Sequence, residues 1–178
     1  MADIFEMDLA NIFVGDPDPK KSLHTSLKSV KLPDLKLMSK EHKPAGAAGS
    51  VNFRMNSIDA LKFTFKCAGF TPDLSAKFGI GVGLNEPYFM LGNVRNLRTG
   101  EQFPGRAVVR GVITAISPSE FTAGDGIEHD YEIDEVTHYE FLLNNQEIYY
   151  FDFWEGPAGV RINGVSVMQQ AARNIGIV

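Results

Sequence analysis

Four carboxylates alternate with other side chains along one stretch of the chain: Glu128, Asp130, Glu132 and Asp134. Oxygen ligands of this type bind hard cations such as calcium, and a pair of them could serve a hydrolase with His129 or His138 nearby. Side chains two residues apart on a strand do not converge, however, and no Asp-x-Asp-x-Asp-Gly loop closes a cage. A row of exposed acids also lacks the opposed environments that separate two carboxyl pKa values. The pattern favours an acidic surface, facing solvent or a pore, over a metal or hydrolase site.

Other candidate groups also lack the context that chemistry requires. Gly79, Gly81 and Gly83 depart from the Gly-x-Gly-x-x-Gly spacing and follow a predicted helix, so they indicate a chain reversal rather than a phosphate site. Cys67 is the only cysteine, which excludes an intramolecular disulfide, and its apolar neighbours predict a buried, inert thiol. The four histidines do not have the spacing of a metal motif such as His-Glu-x-x-His. The sequence therefore contains no recognisable catalytic, cofactor-binding or metal-binding motif.

The composition is typical of one globular domain over residues 1–178, with 44% hydrophobic and 22% charged residues. No run approaches the roughly 18 apolar residues of a membrane span. The first residues have neither the basic start nor the apolar stretch of a signal peptide. We therefore expect a soluble protein that is not exported and has no membrane partner.

The net charge of −5 is unevenly distributed and argues against a simple basic nucleic-acid binder. Residues 111–160 contain 11 Asp and Glu and no Lys or Arg, whereas residues 1–110 contain 15 basic and 11 acidic residues. The acidic region also holds apolar strands, so it predicts an acidic surface on a folded sheet rather than disorder.

Period-2 alternation predicts a mainly β protein. Between Ile127 and Leu143 the odd positions are mainly apolar and the even positions mainly acidic, and Asn144 and Asn145 mark a turn into a second strand over 147–153. Further strands are predicted at 9–14, 25–32, 51–55, 61–68, 88–97 and 106–116. Short helices are predicted at 71–78 and 165–173. The pattern favours an antiparallel β-sandwich or barrel with one or two short α-helices over a parallel α/β fold.

The segment 35–50 is long for a connection between strands, and a structureless link of that length is usually functional or mobile. Its basic residues Lys36, Lys40 and Lys43 contrast with the acidic region further along the chain. We therefore predict an extended loop at about 35–50.

The C-terminal sequence resembles the closing signature of the major tail tube proteins of contractile-tailed bacteriophages and related R-type bacteriocins. The residues concerned are 161–165, Arg-Ile-Asn-Gly-Val, followed by 172–177, Ala-Arg-Asn-Ile-Gly-Ile. Other pieces occur in the order of the family and together span nearly the whole chain. They are 11–15, 30–35, the glycine-rich 45–49, 108–111, 124–126, and the strand at 139–141 leading to the strand that ends at Asp152.

This resemblance implies a non-enzymatic β-sandwich-like subunit without cofactors that forms hexameric rings. The inner strands would join into a β-lined channel, and the rings would stack into a tube for DNA passage inside a contractile sheath. The implied partners are the tail sheath, tape measure, baseplate and tail terminator proteins, with DNA only in transit. The implied location is the virion tail, after assembly in the cytoplasm of the bacterial host.

The resemblance also assigns roles to two sets of residues. The segment 35–50 matches an extended loop that reaches a neighbouring subunit or the next ring, with Leu37, Lys40, Lys43, Pro44, Gly46 and Gly49 as candidate contact residues. Glu128, Asp130, Glu132 and Asp134 become candidates for the channel lining or an interface, where like charge would keep DNA from adhering.

Two alternatives remain open at this level. One is a monomeric acidic β-sandwich module that binds a cation or a carbohydrate, and the other is a tube component of a type VI secretion system. Ring assembly separates a tube subunit from a binding module, because a tube subunit self-associates without a ligand.

Overall fold

The computed structural model describes residues 3–46, 48–80, 85–124 and 126–177. Within them the strands are β1 (Phe5–Val14), β2 (Leu27–Lys31), β3 (Leu37–His42), β4 (Val51–Ile58), β5 (Phe63–Ala68), β6 (Glu86–Asn96), β7 (Gln102–Pro118), β8 (Glu128–Leu143), β9 (Gln146–Asp152), β10 (Val160–Ile162) and β11 (Val165–Ser166). The α-helices are α1 (Pro72–Ser75) and α2 (Gln169–Asn174), and short 3-10 turns cover Pro19–Lys21 and Gly156–Gly159. None of the described helices is long and apolar enough to cross a membrane.

The two longest strands, β7 and β8, form an antiparallel pair that organises the fold. The first part of β7 pairs with β6, which pairs with β1, and the second part of β8 pairs with β9 and then β10. The first part of β8 pairs instead with β5, and β5 pairs with β2. The predicted mainly antiparallel β fold with short helices is confirmed.

The sheet folds over a single core. Phe63 and Phe65 on β5 lie 6.1 and 6.4 Å, between ring centroids, from Tyr88 on β6, although β5 and β6 are not paired. Tyr131 stacks on Phe65 at 5.0 Å and is fully buried. These aromatic contacts join two sheet layers, so the arrangement is sandwich-like.

A β-bulge in the β7–β8 pair bends these strands between the layers. The register shifts between Arg110 and Val112, and Glu135 opposite adopts a φ of +50°. A Cβ at Gly111 would lie 2.6 Å from Ile133 Cγ2 and 2.7 Å from the Asp134 carbonyl oxygen, so this position needs glycine. Bulges of this kind locally bend and twist a strand.

The structure confirms most of the predicted strands and the β8–β9 hairpin. Asn144 and Asn145 have φ values of +50° and +59°, as expected for a tight turn between two strands. The buried odd positions of β8 include His129, Tyr131 and Ile133, while Glu135 is exposed because the bulge interrupts the alternation.

Three sequence predictions need correction. The link over 35–50 is not structureless, because Leu37–His42 forms β3, which pairs with β4. The predicted helix at 71–78 is regular only over Pro72–Ser75. The predicted helix at 165–173 begins at Gln169, since Val165–Ser166 forms β11 against β10.

The glycine-rich segment is only partly visible. Gly81 and Gly83 lie outside the described residues. Gly79 N–H donates to the Ile113 carbonyl oxygen at 3.1 Å, and a Cβ at Gly79 would overlap the Val112 side chain. Close packing against β7 therefore accounts for the glycine at position 79.

Candidate assembly surfaces

The four predicted carboxylates share one face of β8 and lie beside two lysines, Lys66 of β5 and Lys62, which immediately precedes β5. Lys62 Nζ lies 2.9 Å from Glu132 Oε2 and 3.5 Å from Asp134 Oδ1. Lys66 Nζ lies 3.4 Å from Asp130 Oδ1 and 3.6 Å from Glu128 Oε2. We call these six side chains the charged ladder: Lys62, Lys66, Glu128, Asp130, Glu132 and Asp134.

The ladder sets the charge of a surface more than it stabilises the fold. Its side chains are between 34% and 51% exposed, and ion pairs at this exposure contribute little to stability because solvent screens them. The hydrogen bond to Glu132 and the nearby charge of Asp134 raise the pKa of Lys62, so this lysine stays protonated beside the carboxylates. Four carboxylates against two ammonium groups leave the ladder with a net negative charge.

Sequence reasoning missed the lysines of the ladder. Lys62 and Lys66 are four residues apart in a predicted strand, which places them on one face. Their meeting with the carboxylates depends on the β5–β8 register, in which Lys66 lies opposite Asp130 and Thr64 opposite Glu132. That pairing joins segments more than 60 residues apart and has no local signal.

The ladder has no geometry for metal binding or acid–base catalysis. No group of three or more His, Cys, Asp or Glu side chains is arranged to hold a metal ion in the part of the chain that the structure describes. His129 is only 7% exposed, and its Nδ1 donates to the Gly69 carbonyl oxygen at 2.9 Å. His138 is paired instead with Asp152, with 3.1 Å between Nδ1 and Oδ2. Neither histidine is therefore a partner of the row of acids.

Cys67 is fully buried in the core, where burial raises the pKa of its thiol. A raised pKa keeps the sulfur protonated and weakly nucleophilic near neutral pH. The inert, buried role predicted for this cysteine is consistent with its position.

β3 and β4 form a projecting hairpin, which we call the arm: the described residues 37–46 and 48–58. Its strands pair only with each other among the described strands, with Lys40 opposite Phe53. The predicted contact residues are all exposed: Leu37, Lys40, Lys43, Pro44, Gly46 and Gly49. An isolated two-stranded hairpin is marginally stable in water.

The arm combines exposed apolar side chains with positive charge. Phe53 is 58% exposed, Val51 is 58% exposed, and Met38 and Met55 are each 45% exposed. Exposed apolar clusters of this kind mark interaction sites on soluble proteins.

Two strand edges beside the ladder have stretches that are unpaired among the described residues. β2 pairs with β5 on one side and with no other described strand. β7 pairs with the Phe78–Gly79 segment at Ile113, and beyond Ile113 it pairs only with β8 within the described ranges. The four segments follow the order β2, β5, β8 and the end of β7, and each neighbouring pair is antiparallel. We call this part of the sheet the ladder sheet.

An apolar groove of about 680 Å³ lies between the base of the arm and the β9–β10–α2 region. Its lining includes Tyr139, Tyr149, Tyr150, Phe151, Leu35, Leu37, Ile58, Val160, Ile162, Val167 and Met168. Sequence reasoning did not predict this groove, because its walls come from separate parts of the chain.

An ion pair supports one wall of the groove. Arg161 Nε and Nη2 lie 3.0 and 2.7 Å from the two carboxylate oxygens of Glu147, and the guanidinium carbon lies 3.5 Å from the Tyr150 ring centre. The hydrogen bonds from Arg161 lower the pKa of Glu147. This bidentate geometry fixes β10 against β9.

Open sheet edges, a projecting arm and an apolar groove define a β-structural subunit built for assembly. Residues 8–176 match the model of the phage tail tube protein FII family. The chain belongs to that family, which confirms the resemblance identified from its sequence. It is a structural subunit of a phage tail tube and a component of the tail.

The chain is also similar to several solved structures. A chain of the extracellular contractile injection system PVC sheath-tube complex in its extended state is 14% identical, with 72% of this chain and 86% of that chain covered and a TM-score of 0.46. Hcp1 from Salmonella typhimurium is 14% identical, with 82% and 96% covered and a TM-score of 0.47. A chain of the anti-feeding prophage baseplate is 10% identical, with 80% and 94% covered and a TM-score of 0.46. The search of curated proteins gave no match.

Proposed function

We propose that the chain forms hexameric rings that stack into a tube for DNA passage within a contractile sheath. The observation that carries this proposal is the pair of edges on the ladder sheet that no other described strand covers, formed by β2 on one side and β7 beyond Ile113 on the other. Unpaired edges are templates for strand addition by another chain, and a closed ring removes them.

The number of strands in the ladder sheet suits a ring in which copies of the chain are related by rotation. The ladder sheet contributes an even number of alternating antiparallel segments, so β2 and the end of β7 run in opposite directions. When copies related by rotation about an axis along the strands stand side by side, β2 of one copy therefore meets β7 of the next in antiparallel orientation. Each junction continues the alternation of the sheet.

The layer order suggests which face lines the channel. One face of the ladder sheet packs on the core through Phe63, Phe65 and Tyr131, and the layer containing β1 and β6 lies beyond that core. If the layer containing β1 and β6 faced the ring axis, it would fill the channel, so the ladder sheet is placed on the inner side. The charged ladder on the free face is therefore assigned to the lumen.

A lumen lined by the ladder suits a passing polyanion. The net negative charge repels phosphate groups, while both lysines are occupied by neighbouring carboxylates. Since phosphate neutralisation by free Lys or Arg drives non-specific DNA binding, pairing these lysines removes sites at which DNA would adhere.

The arm is assigned to contacts with a neighbouring subunit or the next ring, through Leu37, Lys40, Lys43, Pro44, Gly46 and Gly49. Its exposed apolar and basic side chains support this role. The tail sheath, tape measure, baseplate and tail terminator proteins are the proposed partners, with assembly in the host cytoplasm. The proposed role involves no enzymatic activity and no cofactor.

Negative-stain electron microscopy of the purified full chain over a concentration series, with light scattering for its mass, tests the proposal. Six-fold rings or hollow tubes are the expected result. A protein that stays monomeric even with baseplate and tape measure components would overturn the proposal and favour a monomeric binding module.

A further inference from the structure

The loop between β7 and β8 presents an exposed aromatic side chain beside an acid. Phe121 is 72% exposed and is preceded by the exposed Glu120. Phe70 is 75% exposed at the same end of the sheet, where Gly69 N–H donates to the Ile127 carbonyl oxygen at 2.8 Å. We call residues 119–124 with Phe70 the end knob.

The groove at the base of the arm has the complementary character. Four of its aliphatic side chains remain substantially exposed: Leu35 at 42%, Leu37 at 47%, Ile162 at 44% and Val167 at 53%. Lys36 and Arg54 also line it, and neither has a carboxylate oxygen within 4 Å in the described part of the chain. The lining of the groove is therefore mainly apolar and includes these two cations.

The end knob and the groove lie at different ends of the subunit. The knob immediately precedes the start of β8 at Glu128, whereas Tyr139, which lines the groove, is 11 residues further along that strand. At about 3.3 Å per residue, the path along β8 is about 35 Å. The knob and the groove therefore lie beside different ends of β8.

We propose that the end knob of a subunit in one ring inserts into the groove of a subunit in the next ring, with Phe121 in the apolar groove and Glu120 against Lys36 and Arg54. The inference rests on the proposed ring stacking and names the surface that receives the next ring. The occupant is a second copy of this chain, because the knob and the groove are complementary in apolar character and in charge. Two different surfaces joined head to tail make a contact that repeats without closing, as a tube requires.

The contact predicts that stacking can be lost while rings persist. The full-length variant Phe121→Ala removes the aromatic ring of the knob, and Val167→Asp places a charge inside the groove. Both side chains are exposed in the subunit, so the thermal midpoint of the subunit should be unchanged. We expect single rings, with the concentration needed for tubes raised by about tenfold or more. Phe153→Ala is the matched control, since Phe153 is 60% exposed and belongs to neither surface.

Exchanging the charges at Glu120 and Arg54 tests whether the knob and the groove meet between rings. Glu120→Lys and Arg54→Glu should each suppress tubes by placing like charges together, and the double variant should restore them. Tubes from Phe121→Ala at the wild-type concentration, or a double variant no better than the single variants, would overturn the inference. If the wild type and the Phe153→Ala control form no rings, the proposed function fails instead. The groove could instead bind the arm of another subunit. In that case Val167→Asp would suppress tubes and Phe121→Ala would not, and this result also overturns the inference.

Discussion

Lys62 Nζ lies 2.9 Å from Glu132 Oε2, although the two residues are 70 positions apart in the chain. Lys66 likewise lies within 4 Å of two carboxylates, those of Glu128 and Asp130. The row of acidic residues visible in the sequence is therefore interleaved with two lysines, each of which is paired with carboxylates. This pairing determines how the surface should respond to substitution.

Neutralising the four ladder carboxylates should create a DNA-binding surface. In the variant Glu128→Gln, Asp130→Asn, Glu132→Gln and Asp134→Asn, Lys62 and Lys66 lose their partners and can contact phosphates. We expect affinity for a fluorescent DNA duplex to rise by about tenfold at low salt and to fall again as salt is raised. Fluorescence anisotropy with assembled protein measures the change.

The control for this experiment adds Lys62→Gln and Lys66→Gln to the same variant. Binding should return to the wild-type level because the released cations are gone. Equal DNA binding by the wild type and the four-carboxylate variant would contradict the pairing argument.

Shortening the arm should prevent stacking without unfolding the subunit. Ser39 and Arg54 are opposite each other in the β3–β4 pair, so an Asn-Gly turn can replace residues 40–53. None of the described residues in the removed segment belongs to the hydrophobic core. We expect a thermal midpoint within a few degrees of the wild type and an absence of long tubes in electron micrographs. Normal tubes from this variant would refute the role assigned to the arm.

Gly111→Ala should destabilise the subunit strongly. The added methyl group would lie 2.6 Å from Ile133 Cγ2 and 2.7 Å from the Asp134 carbonyl oxygen, inside the β-bulge. Overpacking of this type costs about 1–3 kcal/mol of unfolding free energy, measurable by urea denaturation. Gly46→Ala is the control, since apart from its chain neighbours no described residue has an atom within 4 Å of a Cβ at that position. Equal stabilities of the two variants would contradict the steric explanation for Gly111.

The Glu147–Arg161 pair should make stability depend on pH in the acid range. The hydrogen bonds from Arg161 lower the pKa of Glu147 below its ordinary value of 4.5 in the folded state. The stabilising contribution is therefore present above about pH 4.5 and is lost as pH falls through the lowered folded-state pKa. The wild type should exceed Glu147→Gln by about 1 kcal/mol near pH 7, with the difference shrinking below pH 4.5.

Urea denaturation of both proteins between pH 7 and pH 3 measures this difference. Glu101→Gln serves as the control, because Glu101 has no ion-pair partner within 4 Å among the described residues. A difference between wild type and Glu147→Gln that stays constant down to pH 3 would show that the ion pair is not its source.

Much of the fold was predictable from local sequence. The alternation from Ile127 to Leu143 predicted β8, and Asn144 with Asn145 predicted its turn, because strand periodicity and left-handed turn residues are local properties. The motifs at 161–165 and 172–177 indicated the family, which the match over residues 8–176 confirmed.

Other features required the tertiary structure. The net charge of the acidic row depends on Lys62 and Lys66. The β5–β8 register is what places these lysines beside the carboxylates. The arm contains regular strands because β3 and β4 pair with each other, and the groove exists because the base of the arm lies over β9, β10 and α2. The sequence by itself determined most of the strands and the acidic face of β8 before the bulge, since both follow from alternation along the chain. Only the tertiary structure decided which strands are neighbours and what stands opposite each charge, because long-range burial selects pairings that leave no local pattern.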